Sequence, residues 1–507
     1  MTERSSFGSD GPMAQVVVVG AGVGGLGTAL SLGRAGHQVT VLERDATPLP
    51  ADPDAAFWWD RRGAPQVRHS HAFLARLRNL LRDRHPDVLQ QLLDAGATEL
   101  RFMDAMPATI ADQSSRPGDE DLVALACRRT TFEWVLRRAA LASPGVTLLD
   151  GVVVDGLVAS DDPSGLRRAM GVHLDDGRTV DGELVVLAGG RRGDVPAWFE
   201  AIGAAPVAEE DEDTGIIYWS RFYRLRGEAP LSEGPIGADL GYLKFAVFQG
   251  DNGTFSVTLA TPTDDVALRA LSAPERFDAA AGAMTPIAPW LAPGVSEPIT
   301  EVHPMARLRN RIRRFVADGR PAALGVVAVG DAHTCTNPLY GRGCSLAMVH
   351  AELLADALAE HRAVDEAFHL AVEAAAATEI EPWYRASVQQ DRMQRAEAAR
   401  QLAAVNGVDS VPSPDVEQDA EDVQRLFMRS VLREGLFPAV RTDPTVFRAF
   451  LRGFNLLEAP EALMQDSEVM ARVLEAYQAK DERPPEPALG PDRAELLARL
   501  SLRRRRG

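Results

Sequence analysis

The residues of this chain that could do chemistry fall in a few short stretches, and the first is Gly20-Ala21-Gly22-Val23-Gly24-Gly25 with an acid, Glu43, further on. A glycine turn that opens a helix leaves bare backbone N–H groups at the helix N-terminus, where they and the helix dipole attract a pyrophosphate. Gly20 permits the turn, Gly22 lets the backbone approach the phosphates, and Gly25 lets the helix pack close to the strands, with Gly24 in the same cradle. Glu43 stands where a carboxylate hydrogen-bonds an adenosine ribose, and Arg44 beside it is a further cofactor contact. An acid at this place favours an unphosphorylated ribose, meaning FAD or NAD.

A second ligand-facing stretch is Gly330-Asp331 followed by Asn337-Pro338, Gly341 and Gly343. A third is Gln66-Val67-Arg68-His69-Ser70-His71, just before a helix with Phe73, Leu74, Leu77, Leu80 and Leu81 on one face. His69 and His71 could hold substrate, contact flavin or shuttle a proton; two capping or surface histidines fit the same pattern. One of Arg128 and Arg129 can reach a phosphate from the start of another helix.

The elements that must position these residues are legible around them. Val16 to Val19 form the all-apolar, β-branched run of a parallel strand buried on both faces. Leu26 to Ala35 supply a helix, Gly36 stops it, and Gln38 to Leu42 form the next strand. Leu122 to Cys127 read as a strand leading into a helix with Phe132, Val135 and Leu136. Segments 146–158 and 169–187 hold Val-rich strands that end in Leu184-Val185-Val186-Leu187-Ala188-Gly189-Gly190. From about Pro206 to Thr300 the pattern becomes longer alternating strands, with a hairpin around Gly250-Asp251-Asn252-Gly253 and an aromatic strand at Tyr218, Trp219, Phe222 and Tyr223. Leu324 to Val329 return as an apolar strand before a helix from Ser345 to Glu360. The rest is mainly helical and Ala-rich, with loops expected at Asn406 to Asp422 and Asp481 to Pro491.

Composition sets outer bounds. At 507 residues and 46% hydrophobic content the chain can bury two or three domains' worth of core. With 54 basic against 72 acidic residues the net charge is −18, which argues against a general nucleic-acid surface. Met1 to Met13 read as a loose arm, and Arg503 to Arg506 as a solvated basic end. Cys127, Cys335 and Cys344 make neither a CxxC pair nor a disulfide framework, so a reducing, cytoplasmic setting and no metal are expected. No apolar run of about eighteen residues suggests an integral membrane segment.

Taken together, the glycine turn, the Arg128-Arg129-Thr130-Thr131-Phe132-Glu133 frame and Gly330-Asp331-Ala332-His333 with Pro338, Gly341 and Gly343 resemble the FAD-dependent monooxygenase and epoxidase superfamily. That superfamily includes aromatic hydroxylases, squalene epoxidases and, more distantly, geranylgeranyl reductases and flavin halogenases. The resemblance covers roughly residues 14 to 360 and implies an α/β fold: a Rossmann-type FAD-binding domain at 14–205 and 301–360, an inserted β-rich substrate domain at 206–300, and a C-terminal helical region at 361–507. It implies that Asp331 binds the ribityl chain, that Glu43 binds the adenosine ribose, and that Arg129, with Arg128 as the alternative, contacts the pyrophosphate. A helix N-terminus after Gly343 would stabilise negative charge on reduced flavin.

Two departures qualify the resemblance. Ala188-Gly189-Gly190 stands where the family usually has an aspartate, at Gly189, that helps hold NAD(P)H. NADPH or NADH is therefore expected to act either directly or through a partner flavin reductase, with Asp194 as a substitute acid. Halogenases need a lysine near the flavin, whereas Lys244 and Lys480 are the whole lysine content and Tyr218-Trp219-Ser220-Arg221 lacks the Trp-x-Trp-x-Ile-Pro segment. The function implied is hydroxylation or epoxidation of an apolar small molecule with molecular oxygen, through a flavin C4a-hydroperoxide. An FAD-dependent reductase of an isoprenoid-like double bond and a non-catalytic flavin-binding protein are the alternatives.

Overall fold

A computed structural model describes residues 13–230, 236–361, 363–405, 427–428, 430–484 and 488–502. The expected N-terminal arm, apart from Met13, the Asn406–Asp422 loop and the Arg503–Arg506 tail lie outside the described residues. The architecture is α/β. Strand β1 (Gln15–Val19) runs parallel to β2 (Gln38–Glu43) on one side and to Leu184–Leu187 on the other. Val146–Asp150 and Val326–Ala328 complete a five-stranded parallel sheet. Its Val and Leu runs are buried on both faces, which a parallel sheet covered by helices requires. The strand order reverses at β1, so a crevice opens beyond its C-terminal end, where the glycine turn lies.

Helix α1 spans Val23–Arg34 and thus starts earlier than the apolar pattern predicts. Gly24 and Gly25 form its first turn because the backbone is crowded there: a Cβ on Gly25 would overlap the Gly20 carbonyl. Gly20 itself has φ +110° and lies against the Ala188 carbonyl, and Gly36 closes the helix at φ +93°. Helix Gly343–Glu360 packs across α1 with Met348 against Gly27. These glycines let two helices and two strand ends converge on one point.

The alternating strands form a six-stranded antiparallel layer built on Ile216–Leu225, Thr254–Pro262 and Lys244–Gln249. One face buries Trp219, Tyr223, Phe255 and Val257 with Phe277 and, from the C-terminal helix Arg493–Leu502, Leu496 and Leu500. The opposite face carries Tyr218, Ser220 and Phe222 by the two-residue strand period. A further three-stranded sheet pairs Ala208–Asp213 with Arg309–Arg314 and then Thr334–Cys335. Its register sets Glu209 opposite Arg313, Asp211 opposite Arg311 and Asp213 opposite Arg309, so opposite charges align across the pair. No described helix is long and apolar enough to cross a membrane.

Candidate functional site

A deep cleft opens at the switch point. The glycine turn (Gly22, Gly24), Arg129, the Ala188–Arg192 loop, Asp331 and the Pro338–Gly343 loop line it together. Arg129 is the first residue of helix Arg129–Ala142 and is buried, with Nε donating to Glu133 at 2.7 Å and Nη1 facing the Cys344 sulfur. Burial opposes its charge, but Cys344, Glu133 and Asp331 outweigh that and hold its pKa above the usual guanidinium value. Asp331 follows Gly330, whose φ of +57° turns the strand end into the cleft. Burial raises the Asp331 pKa against the opposing pull of Arg129, Arg191 and Arg311.

The Pro338–Gly343 loop is clamped from behind. Asp391 on helix Glu381–Val405 accepts from Asn310 at 2.6 Å, Asn337 at 2.8 Å and Tyr340 at 2.6 Å, and the Asn337 N–H donates to Asn310 at 2.8 Å. Gly341 has φ +67°, and beyond it the first amides of helix Gly343–Glu360 open on the cleft. Across the cleft stand Tyr218, Phe248, Met305 and Leu308 from the antiparallel layer, an apolar wall.

Between that wall and the glycines runs the Gln66–His71 strap. His71 faces the cleft, and its Nδ1 lies 3.0 Å from the His69 carbonyl, so Nδ1 carries the proton and Nε2 is an acceptor. Burial and Arg129 lower its pKa to about 3. His69 is turned away and buried against Ser220 at 3.3 Å, with its pKa lowered to about 3 by burial first and then by His71, His303 and Arg191. Both rings are neutral at ordinary pH.

Behind the glycine turn, off the open lining, the surroundings of Glu43 are built differently. Glu43 is buried and accepts from the N–H groups of Ala21 at 2.9 Å and Asp45 at 3.0 Å. Arg61 stands 3.5 Å from the same carboxylate and donates to the Ala21 carbonyl at 2.9 Å. Arg61 and Arg137 both lie over the Trp59 ring. Two nitrogens on each of these arginines are buried without a hydrogen-bond partner among the described residues, as is Nε1 of Trp59, a residue that lines a neighbouring cavity rather than the cleft. Orphaned buried donors fit a ligand rich in acceptors, as an adenosine diphosphate is. At the other end a Cβ on Gly22 would meet nothing within 4 Å, and Gly343 is equally open, so the cradle has room for a phosphate-bearing group.

Residues 15–63 match the family profile described as pyridine nucleotide-disulphide oxidoreductase. Among solved structures the chain is similar to PqsL of Pseudomonas aeruginosa, described as a probable FAD-dependent monooxygenase, with 18% identity and a TM-score of 0.51, covering 78% of this chain and 99% of that one. It is similar to OxyS anhydrotetracycline hydroxylase from Streptomyces rimosus at 20% identity and a TM-score of 0.52, covering 88% and 77%. It is also similar to the flavin-dependent brominase Bmp2 at 15% identity and a TM-score of 0.51, covering 93% and 100%. No curated protein matches by sequence. The chain has the fold of the FAD-dependent monooxygenases.

Within this monooxygenase fold, Gly22, Gly24, Arg129, Asp331, Pro338, Gly341, Gly343 and His71 come together on one cleft, while Gly20 and Gly25 shape it through the backbone. His69 is a correction to its pairing with His71: it lies within the wall, because its ring completes a buried polar cluster with Ser220. Glu43 and Arg44 lie off the open lining, Glu43 beneath Arg61 and Arg44 on the surface near the Gly63 carbonyl at 3.4 Å. Arg128 is held by Asp251, with its Nε donating at 2.5 Å, which leaves Arg129 as the arginine of the cleft. Asp194 is not on the lining, whereas Gly189 is. Sequence reasoning missed Arg61, Arg137, Arg191 and Asp391 as site residues. Arg191 follows the Gly189-Gly190 stretch, whose local signal is a missing acid, and the other three carry no local motif.

Proposed function

We propose that this protein is an FAD-dependent monooxygenase that hydroxylates or epoxidises an apolar small molecule. The observation that carries the reading is the meeting of the glycine turn, Arg129, Asp331 and the Gly343 helix N-terminus with the apolar wall of Tyr218, Phe248, Met305 and Leu308 on one cleft. Bound FAD would supply the activation of molecular oxygen. The chain's part is binding, orientation and exclusion of water. The α1 amides and Arg129 would bind the pyrophosphate, Asp331 would accept from the ribityl hydroxyls, and Glu43 would accept from the ribose. The Gly343 helix N-terminus offers N–H groups and a positive dipole end to the flavin pyrimidine. His71 presents a neutral acceptor at Nε2 and orients a substrate hydroxyl rather than storing a proton, since a pKa of about 3 leaves it unprotonated near neutrality.

The test is direct. Purified protein is expected to carry FAD, and the photoreduced form is expected to consume oxygen, passing through a transient absorbance change before the oxidised spectrum returns. A colourless protein that takes up no FAD would overturn the reading.

A further inference from the structure

A second cavity, of about 480 Å³, lies on the same side of the antiparallel layer as the flavin cleft and shares no lining residue with it. The Gln66–His71 strap is the partition: Val67 and Arg68 face this cavity, while Gln66, Ser70 and His71 face the cleft. His69 plugs the middle by bonding Ser220, which is tied to Thr258 at 2.9 Å, and Ser70 closes the plug on Ser256 and Thr258 at 2.7 Å each. Strand Ile216–Leu225 therefore serves both chambers from one face, with Tyr218 in the cleft, Ser220 in the plug and Phe222 in the second cavity.

The lining of that cavity has a definite chemistry. Phe57 meets Trp58 edge-on at 4.7 Å and Phe222 at 5.5 Å, so ring faces and edges surround the space. Trp58 is 69% exposed at its mouth, an apolar surface that only Phe57 is seen to meet ring to ring among the described residues. Arg68, also exposed, has no hydrogen bond or ion pair among the described residues. Arg221 is already held by Asp278 at 2.7 Å and by the Thr300 carbonyl, and Glu301 is an exposed carboxylate on the rim. Arg68 is thus the cation left over for a ligand. The volume falls in the range of small-molecule pockets, about 300–1,000 Å³.

We propose that this cavity is a second binding site, for a planar aromatic molecule bearing a negative charge, distinct from the flavin cleft. The probes are 8-anilinonaphthalene-1-sulfonate and its uncharged analogue N-phenyl-1-naphthylamine, titrated by fluorescence into the FAD-loaded protein. Saturable binding of the sulfonate is expected, with Trp58→Ala weakening both probes. Arg68→Gln is expected to weaken only the sulfonate, by roughly three- to fivefold, the size of one charge pair at an open site. Both side chains are exposed, so neither change threatens folding, and flavin content serves as the control and is expected to stay constant. Displacement of the sulfonate by added FAD, or parental binding in both variants, would overturn the proposal. Equal loss of both probes in Arg68→Gln would overturn the anionic assignment. Should the chain hold no FAD, the proposed function fails, while the same titration on the flavin-free protein still reads this cavity.

Discussion

The Asp331 carboxylate is the clearest single determinant of the cleft, because a left-handed Gly330 turns it inward and three arginines, Arg129, Arg191 and Arg311, oppose the rise that burial imposes on its pKa. Asp331→Ala removes the proposed acceptor for the ribityl hydroxyls and is expected to weaken FAD binding by about 1.5–3 kcal/mol, roughly ten- to a hundredfold. Flavin titration of the purified variant measures this. Gly22→Val makes a cleaner contrast, since no protein atom stands within 4 Å of a Cβ there. Its thermal stability should remain near the parent's while FAD binding is lost; parental flavin affinity would show the turn to be only structural. The buried histidines give a pH dependence. His69 and His71 fall from 6.5 to about 3 in the fold, so between those values the unfolded chain binds more protons than the folded one. Their contribution to stability is therefore complete above about pH 6.5 and is lost as pH falls. His69→Asn should flatten the decline of Tm between about pH 7 and pH 5 relative to the parent.

Among the elements, the Pro338–Gly343 loop shows how a site is held by a helix far away in sequence. Asp391 alone gathers Asn310, Asn337 and Tyr340, and burial raises its pKa while those three donors oppose the rise. Asp391→Ala leaves buried Asn310 and Asn337 and half-buried Tyr340 without their acceptor, a loss on the order of 3 kcal/mol. The expected result is a lower Tm together with weaker FAD binding, even though Asp391 is not on the cleft lining. Hydrogen exchange across residues 337–344 locates the effect: faster exchange there is expected, and unchanged protection would mean the loop is held by other contacts.

At the scale of the whole molecule, the proposed function turns on how reducing equivalents would reach a bound flavin. Gly189 offers no carboxylate, Asp194 lies away from the lining, and Arg191 and Arg192 make that rim cationic. Direct reduction by NADPH or NADH is therefore expected to be slow in stopped flow and to be rescued by an added flavin reductase. A Cβ on Gly189 would approach no atom nearer than the Val19 carbonyl at 4.0 Å, so Gly189→Asp fits the fold. That variant should accelerate direct reduction. Rapid direct reduction of the parent by either nucleotide would instead mark a single-component enzyme.

How much of this was legible without coordinates follows from the range of the forces involved. The glycine turn, the strands flanking it and the Gly330–Gly343 stretch are local: steric limits on φ, strand burial and helix starts act over a few residues, so sequence alone determined the parallel sheet and marked Gly22, Asp331 and Gly343, which the fold brings to one cleft, while leaving Arg128 and Arg129 as alternatives. It also determined the antiparallel layer, through alternation around Trp219 and Tyr223. What only tertiary structure decided are partnerships between distant segments. Arg61 over Glu43, Arg128 on Asp251 instead of a phosphate, Asp391 behind the second loop, and the turn of His69 into the wall while His71 enters the cleft all join groups far apart in the chain. Their cause is the same in each case: a buried polar group must find its partner wherever packing brings one, and no local pattern records which segment that will be.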